Sequence, residues 1–287
     1  MKNILITGIN SYVGNNFEKW IGGNTEDYSI TKISLKNNNW KFDDFSQYDV
    51  ILHVAGIAHV SNNSKMEDLY YKVNRDLTYE IAKKAKSEGV KQFVFLSSII
   101  VYGNQKKISL MTKPKPRDFY GESKLQAEKK ILELSSSIFN IAIIRPPMIY
   151  GKNSKGNYLK LSKLVKRTFV FPLIYNKRSL LHIDNLTEFL KHIIDNDDHG
   201  IFFPQNKEIV STSELVATIS NIKGKKIHLI SFFNPIIRIL QVRINLFNKI
   251  FGDLYYDPEM SNYKKNYHCR DFNQSILLTE TDDESVK

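Results

Sequence analysis

Two rhythms of apolar and polar positions alternate along the first half of the chain. Short continuous apolar runs cover Lys2–Thr7 (KNILIT), Tyr28–Ser34, Tyr48–Ala55 (YDVILHVA), Lys91–Ser98 (KQFVFLSS) and Asn140–Arg145 (NIAIIR). Runs this short, bounded by glycine or proline, predict buried strands. Between them, Tyr12–Ile21, Lys65–Glu88 and Tyr120–Leu134 predict helices, the first stopping at Gly22-Gly23 and the second at Gly89. Strands separated by helices pair in parallel with right-handed crossovers. The expectation is an α/β fold, a Rossmann-type doubly wound parallel sheet. The stretch joining the second and third strands is too short for a full crossover helix, so that helix is short or missing.

After Gly151 the rhythm breaks. Asn157–Arg167, Asn185–Ile194 and Thr212–Ile222 predict helices, the last capped by Ser211 or Thr212 with Glu214 beside it. Short strands fall near Ser179–Ile183 and Gly200–Phe203. There are no internal repeats and no Pro/Ser linker. The expected division is a cofactor domain over 1–151 and a smaller α+β substrate lobe over 152–287, with some chain crossing back.

The turn Thr7-Gly8-Ile9-Asn10-Ser11-Tyr12-Val13-Gly14 lies between the first strand and the first helix. A helix N-terminus presents unpaired N–H groups and a positive dipole end, and glycines let backbone approach a pyrophosphate. Gly8, Asn10, Ser11, Tyr12, Val13 and Gly14 are the candidate cradle. Ser11 stands where the middle glycine would be, and either tolerates the close approach or donates to a phosphate. The second strand ends Ile33-Ser34-Leu35-Lys36, without the carboxylate that would hold the ribose hydroxyls of NAD. Ser34 with Lys36 suits a 2′-phosphate better, which favours NADP over NAD.

Tyr120 and Lys124 stand four apart at the start of a helix, on one face. A neighbouring ammonium and a cationic nicotinamide would both draw a tyrosine pKa down toward a useful range. Ser98, at the end of the fourth strand, would hold a substrate oxygen against the phenol. Together Ser98, Tyr120 and Lys124 are the candidate catalytic set, placed where a doubly wound sheet opens its ligand crevice.

Composition changes this picture in two ways. The chain has 287 residues with 42% hydrophobic and 25% charged positions, which is globular rather than disordered. The single cysteine, Cys269, excludes a disulfide framework and a cysteine-rich zinc site, and no metal is expected. No apolar stretch is long enough for a membrane span or a signal peptide, so a cytoplasmic setting is expected. The second change is charge. Lys and Arg number 41 against 30 Asp and Glu, a net charge of +11. No helix combines these cations with base-reading residues, which argues against nucleic acid.

In this order the pieces resemble the extended short-chain dehydrogenase/reductases, the family of NAD-dependent nucleotide-sugar epimerases, dehydratases and ketoreductases. The matching segments are Thr7–Gly14, His53-Val54-Ala55-Gly56, Asn74, Ser97-Ser98-Ile99-Ile100-Val101-Tyr102-Gly103, Tyr120 with Lys124, and Arg145-Pro146-Pro147-Met148-Ile149-Tyr150-Gly151. The resemblance implies catalysis by Ser98, Tyr120 and Lys124, and cofactor contacts from His53, Ala55, Gly56, Asn74, Lys124 and Pro146 as well as the turn. It implies substrate contacts from Ser98, Asn157 and Arg178, the last two near a diphosphate, and a homodimer through Lys65–Glu88 and Tyr120–Leu134. Arginine suits a diphosphate because its fork donates to two oxygens. Asn157 reads equally as a helix cap, and His182 as a packed core residue.

Pro235–Phe251 plots as an amphipathic helix, with Ile236, Leu240, Ile244, Phe247 and Phe251 on one face and Arg238, Gln241, Asn245, Asn248 and Lys249 on the other. Arg243 falls on the apolar face, where a guanidinium needs an anion; either it meets the substrate diphosphate or it snorkels to water. Leu215–Gly252 carries no acidic residue, which makes peripheral contact with a membrane surface a further expectation.

Among relatives the resemblance is strongest to capsule and O-antigen enzymes acting on UDP-N-acetyl-6-deoxyhexosamines, carried by Val90–Phe95, Arg145–Gly151 with Lys152 and Gly156-Asn157, and Phe251–Tyr256. It implies reduction of the C4 ketone of a UDP-2-acetamido-2,6-dideoxy-4-ketohexose. The alternatives are a UDP-sugar 4-epimerase with retained NAD and a non-catalytic NADP-binding regulator. A 4,6-dehydratase is disfavoured, since Ile99-Ile100 follow Ser98 where carboxylates would be needed.

Overall fold

The computed structural model describes residues 1–22, 26–58, 66–232, 234–243 and 245–281; of the side chains from 236 to 246 it describes those of Ile237, Ile239 and Arg243. Gly23, Lys65 and the side chains of Ile236, Arg238, Leu240, Gln241, Ile244 and Asn245 lie outside the described residues.

The cofactor half runs β1 (Lys2–Thr7), α1 (Tyr12–Ile21), β2 (Tyr28–Ile33), β3 (Val50–His53), α2 (Glu67–Tyr70), α3 (Leu77–Ser87), β4 (Gln92–Leu96), β5 (Lys107–Ile108), α4 (Phe119–Leu132), β6 (Asn140–Ile144) and β7 (Met148–Tyr150). Then follow α5 (Asn157–Arg167), β8 (Val170–Pro172), β9 (Leu180–His182), α6 (Ile183–Asp195), β10 (Gly200–Phe202) and α7 (Thr212–Ile222). The chain ends with β11 (His228–Ile230), α8 (Asn234–Arg243), α9 (Asn245–Phe251), β12 (Tyr255–Tyr256) and α10 (Phe272–Glu280).

Six strands form one parallel sheet in the order β10-β6-β4-β3-β1-β2. Its register explains the continuous apolar runs. Leu5, Ile51, Phe93 and Ile141 lie in one row facing α3 and α4, whose Ile81, Ala82, Ala85, Ala127 and Ile131 cover them. Ile6, Leu52, Val94 and Ala142 or Ile144 face the other side, under Val13, Phe17 and Ile21 of α1 and Leu186, Phe189 and Leu190 of α6. A strand covered on both faces needs apolar residues at every position.

The segment between β2 and β3 holds only a 3₁₀ turn, Asn38–Lys41, with Trp40 buried under the sheet. The missing helix expected there is thus confirmed. β2 and β3 flank β1 on opposite sides, and the topological switch point of this Rossmann-type doubly wound sheet falls between β1 and β3.

One predicted helix differs from expectation. The long Lys65–Glu88 helix is described as α2, a π-helical turn over Tyr71–Asp76, and α3. The predicted Pro235–Phe251 helix is described as α8 and α9, on either side of residue 244, which lies outside the described residues. Ser211 rather than Thr212 caps α7, in a capping box with Glu214. In the substrate half, α5, α7, α9 and α10 close around Tyr150, Tyr158, Phe171, Leu215, Val216 and Ile276. Here α6 packs on α1 and β10 extends the sheet beside β6.

Candidate active site

The cleft opens at the carboxyl ends of β1, β3, β4 and β6. It is lined by Ser11–Val13, Val54, Gly56–Ala58, Leu96–Ile100, Tyr120, Lys124 and Pro146–Ile149 on the cofactor side, and by Ser154, Lys155, Asn157, Arg178 and Leu254 on the other. The three catalytic candidates therefore meet in one space with Asn157 and Arg178.

The α4 N-terminus fixes Tyr120. Asp118 caps the helix, accepting from the Gly121 N–H at 2.9 Å. Gly121 sits where a Cβ would lie 2.9 Å from the Ile100 carbonyl oxygen and 3.0 Å from Pro116 Cβ. Only a residue without a side chain lets α4 close onto the 3₁₀ turn that follows Ser98. That contact brings the Ser98 side chain and the Tyr120 phenol into one cleft, near enough for Ser98 to lower the phenol's pKa. Burial pushes the phenol up to about 12, and Ser98 pulls it only partly back.

Lys124 is 5% exposed. Its Nζ donates to the Leu96 carbonyl at 2.8 Å and lies 4.5 Å from the centre of the Phe95 ring. Burial brings its pKa down to about 8, with Glu128 acting in the opposite sense. The expected lowering of the tyrosine by this lysine is not what the geometry gives. Lys124 donates toward β4, and burial is the larger influence on Tyr120.

Beneath these residues lies an ion pair that sequence reasoning missed. Glu128 accepts from Arg145 Nε at 3.0 Å and from Nη2 at 2.5 Å, and Ser97 Oγ also donates to it. Arg145 Nη1 donates to the Tyr102 hydroxyl at 2.7 Å, and the pair is 1% and 6% exposed at its side chains. A usable signal existed: Glu128 continues the Tyr120–Lys124 stripe by one further turn, and Arg145 closes an otherwise apolar strand.

The cofactor turn matches its expectation in part. Ser11 Oγ accepts from the Gly14 N–H at 3.3 Å, so the serine caps α1. At Gly14 a Cβ would come within 2.8 Å of Ile6 Cγ2, so the glycine is what lets α1 lie on β1. The Tyr12 hydroxyl is buried against Gly151, without a hydrogen-bond partner among the described residues. A cradle of helix N–H groups and a required glycine fit a dinucleotide. Gly8, Asn10 and Ala55 shape this turn from just outside the cleft lining, and Pro146 lies within it.

His53 and Asn74 stand behind the wall rather than in the cleft, which corrects their expected role as contacts. His53 is fully buried, shares its hydrogen bonds with Thr7 at 2.8 Å and Thr78 at 2.9 Å, and burial lowers its pKa to about 3. Asn74, in the π turn, accepts from the Ile57 N–H at 2.9 Å and donates to Ser123 Oγ at 3.2 Å. Both brace the loop that carries Gly56. Ser34 and Lys36 lie at the end of β2 outside the cleft lining, and Lys36 is exposed. Arg243 is exposed at the end of α8 and away from the cleft, so it reaches water and not the diphosphate position. His182 is a core residue, its Nδ1 accepting from the Asp184 N–H and its ring edge-on to Tyr150.

Across the cleft, Asn157 opens α5 after a Gly156 cap, so it is not itself the cap. Arg178 donates from Nη1 to the Gly252 carbonyl at 3.1 Å, and burial lowers its pKa to about 10 against the pull of Asp253. It remains a full cation at neutral pH with the rest of its fork free to face the cleft that it lines. Among the described residues no cluster of metal-ligating side chains occurs, and no helix is long and apolar enough to cross a membrane.

The profile of the NAD dependent epimerase/dehydratase family matches residues 4–203. A UDP-glucose 4-epimerase of Vibrio cholerae is 32% identical over 246 residues, 76% of this chain and 75% of that one. An N-acetyl-alpha-D-glucosaminyl-diphospho-ditrans,octacis-undecaprenol 4-epimerase of Escherichia coli O157:H7 is 27% identical over 216 residues, 72% of this chain and 65% of that one. Among solved structures, a variant UDP-glucuronic acid 4-epimerase from Bacillus cereus overlays with a TM-score of 0.73 at 16% identity, covering 97% of this chain and 98% of that one. A dTDP-4-dehydrorhamnose reductase from Clostridium acetobutylicum overlays with a TM-score of 0.69 at 21% identity, covering 79% and 82%. These two likenesses concern the fold.

Proposed function

Because the chain belongs to the NAD dependent epimerase/dehydratase family, we propose that it carries out oxidoreduction at C4 of a sugar attached through a diphosphate, in the direction of 4-ketone reduction. The substrate class favoured is a UDP-2-acetamido-2,6-dideoxy-4-ketohexose of surface polysaccharide synthesis. A bound nicotinamide cofactor, NADP in preference to NAD, supplies the hydride. The chain's own groups then have defined tasks. Ser98 donates to the C4 oxygen and holds it beside the phenol. Tyr120 gives its proton to that oxygen as negative charge develops there. Lys124 binds the cofactor ribose and stabilises the phenolate left behind. Arg178 and Asn157 hold the diphosphate across the cleft.

The observation that carries this reading is the lining of one cleft by Ser98, Tyr120 and Lys124 together with Asn157 and Arg178, which would let one sugar diphosphate reach the phenol and the guanidinium at once. Burial raises the Tyr120 pKa, which favours the protonated phenol that a developing alkoxide needs. The strand end at Ser34 and Lys36, without a carboxylate, supports NADP. A specific observation also favours the second reading, a UDP-sugar 4-epimerase with retained NAD: both curated relatives described above are named as 4-epimerases. There the same three residues would first withdraw the C4 hydroxyl proton.

Two measurements test the proposal. Tyr120→Phe abolishes nearly all turnover and leaves cofactor affinity unchanged; retained turnover would sink the assigned roles. Cofactor extracted from the purified protein separates the readings. An empty site that consumes NADPH with a UDP-4-keto sugar is the reductase. Tightly held NAD with interconversion of C4 epimers is the epimerase.

A further inference from the structure

Beyond Arg178 the cleft continues into a second cavity of about 180 Å³, which shares Met148, Asn157 and Arg178 with it. A sugar at Ser98 and Tyr120, with its diphosphate at Arg178, would send the group beyond the diphosphate into this space. Its walls are apolar, built from Leu161, Phe171, Leu180, Val210, Leu215 and Phe251. The hydroxyls on its far wall each have at least one partner. Ser211 Oγ accepts from the Glu214 N–H at 3.0 Å. Thr212 Oγ1 donates to the Ile250 carbonyl at 2.8 Å and accepts from Asn176 Nδ2 at 3.0 Å. A nucleoside brings ring amides and ribose hydroxyls that need such partners, and an apolar chain does not.

The surface around the cavity points the same way. Lys160, Lys249 and Leu164, which is 45% exposed, line its outer end. The two stretches that border the cavity, 152–183 and 215–252, hold fourteen Lys and Arg and not one Asp or Glu. Among the described residues Lys223 meets Glu280, and Lys249 meets Asp118 at 3.6 Å. Large apolar side chains stand exposed in the same stretches, Phe169 at 68%, Tyr175 at 82% and Ile239 at 57%. Cations interspersed with exposed aromatic and aliphatic side chains are complementary to an anionic lipid surface.

We propose that the substrate is a lipid-linked sugar diphosphate, with the proximal part of an isoprenoid chain seated in this cavity and the basic face of the lobe resting on the bilayer that carries the remainder. The proposal rests on the reading of a sugar attached through a diphosphate and departs from the UDP form favoured above, replacing the nucleoside by a polyprenyl chain. Nothing in the catalytic set changes, since Ser98 and Tyr120 address only the sugar.

The test uses the full chain and soluble probes. Calorimetry compares pyrophosphate, UDP and geranyl diphosphate. Geranyl diphosphate is expected to bind at least about tenfold more tightly than pyrophosphate, through burial of its chain, with UDP gaining less. Leu164→Asp places a carboxylate at the exposed cavity mouth, where folding tolerates it. It should remove the geranyl gain and leave pyrophosphate affinity within about twofold. Sedimentation with vesicles should show binding to phosphatidylglycerol, lost in high salt, and none to phosphatidylcholine. UDP binding more tightly than geranyl diphosphate overturns the proposal but leaves the diphosphate-sugar reading standing. Absence of phosphatidylglycerol binding also overturns it. If none of the three probes binds, or Arg178→Met leaves their affinities unchanged, the diphosphate reading itself fails.

Discussion

Glu128→Ala tests how far the catalytic floor depends on one buried charge pair. The carboxylate is 1% exposed and takes two hydrogen bonds from Arg145 and one from Ser97. Its removal strands a guanidinium that is 6% exposed, with only the Tyr102 hydroxyl left to Nη1. Breaking a buried pair from one side costs about 3–5 kcal/mol, because the surviving charge stays desolvated. In a chain of this size that lowers the melting temperature by roughly 10 °C. Glu128→Met combined with Arg145→Met removes both charges and should recover most of the loss, so the double-mutant cycle yields a large coupling energy. Denaturant melts of the four proteins measure it. A second readout is catalytic. Glu128 holds the Lys124 ammonium up against burial, so without it Lys124 loses its proton below the present value of about 8. The alkaline limb of the activity profile then moves to lower pH. Glu128→Ala within about 1 kcal/mol of the parent, or a double variant as unstable as the sum of the singles, would refute the reasoning.

Two further predictions follow from the same site. Gly121→Ala pushes a methyl to within 2.9 Å of the Ile100 carbonyl, so α4 and the Ser98 turn must part. Turnover should fall by at least about tenfold with cofactor affinity little changed, and an unaltered kcat would contradict the fit. Lys124→Met probes linkage. The ordinary lysine value of 10.5 falls to about 8 in the fold, so between those pH values the unfolded chain binds a proton that the native chain has released. Stability therefore gains a rising contribution from pH 8 to about 10.5, with the burial penalty fully present below pH 8. Urea midpoints of parent and Lys124→Met, compared at pH 7.5 and pH 9.5, should show that gain only in the parent.

The central strands were legible because each is covered on both faces. A row such as Leu5, Ile51, Phe93 and Ile141 leaves an unbroken apolar run in every strand it crosses. Tyr120 and Lys124 were legible because helical spacing alone puts them together. The position of His53 could have been read from strand parity, since it shares its side of β3 with Ile51 and so points beneath α3. Other features are set by contacts distant in the chain. The two-residue pairing of β5 with β12 joins Lys107–Ile108 to Tyr255–Tyr256 and leaves no periodic trace. The π turn over Tyr71–Asp76 gave no signal of its own, so the sequence pointed to Asn74 but not to its place behind the cleft wall. The tyrosine's high pKa was missed for a similar reason: spacing gives the neighbour, but only packing gives the burial.

The fourteen cations of the two acid-free stretches exceed the whole chain's net charge of +11, so the remaining residues together carry a net charge of −3. The positive excess is therefore concentrated in two stretches of sequence and not spread evenly along the chain. Within about a Debye length, ~8 Å at physiological salt, an anionic group is drawn toward such a stretch before it makes any contact.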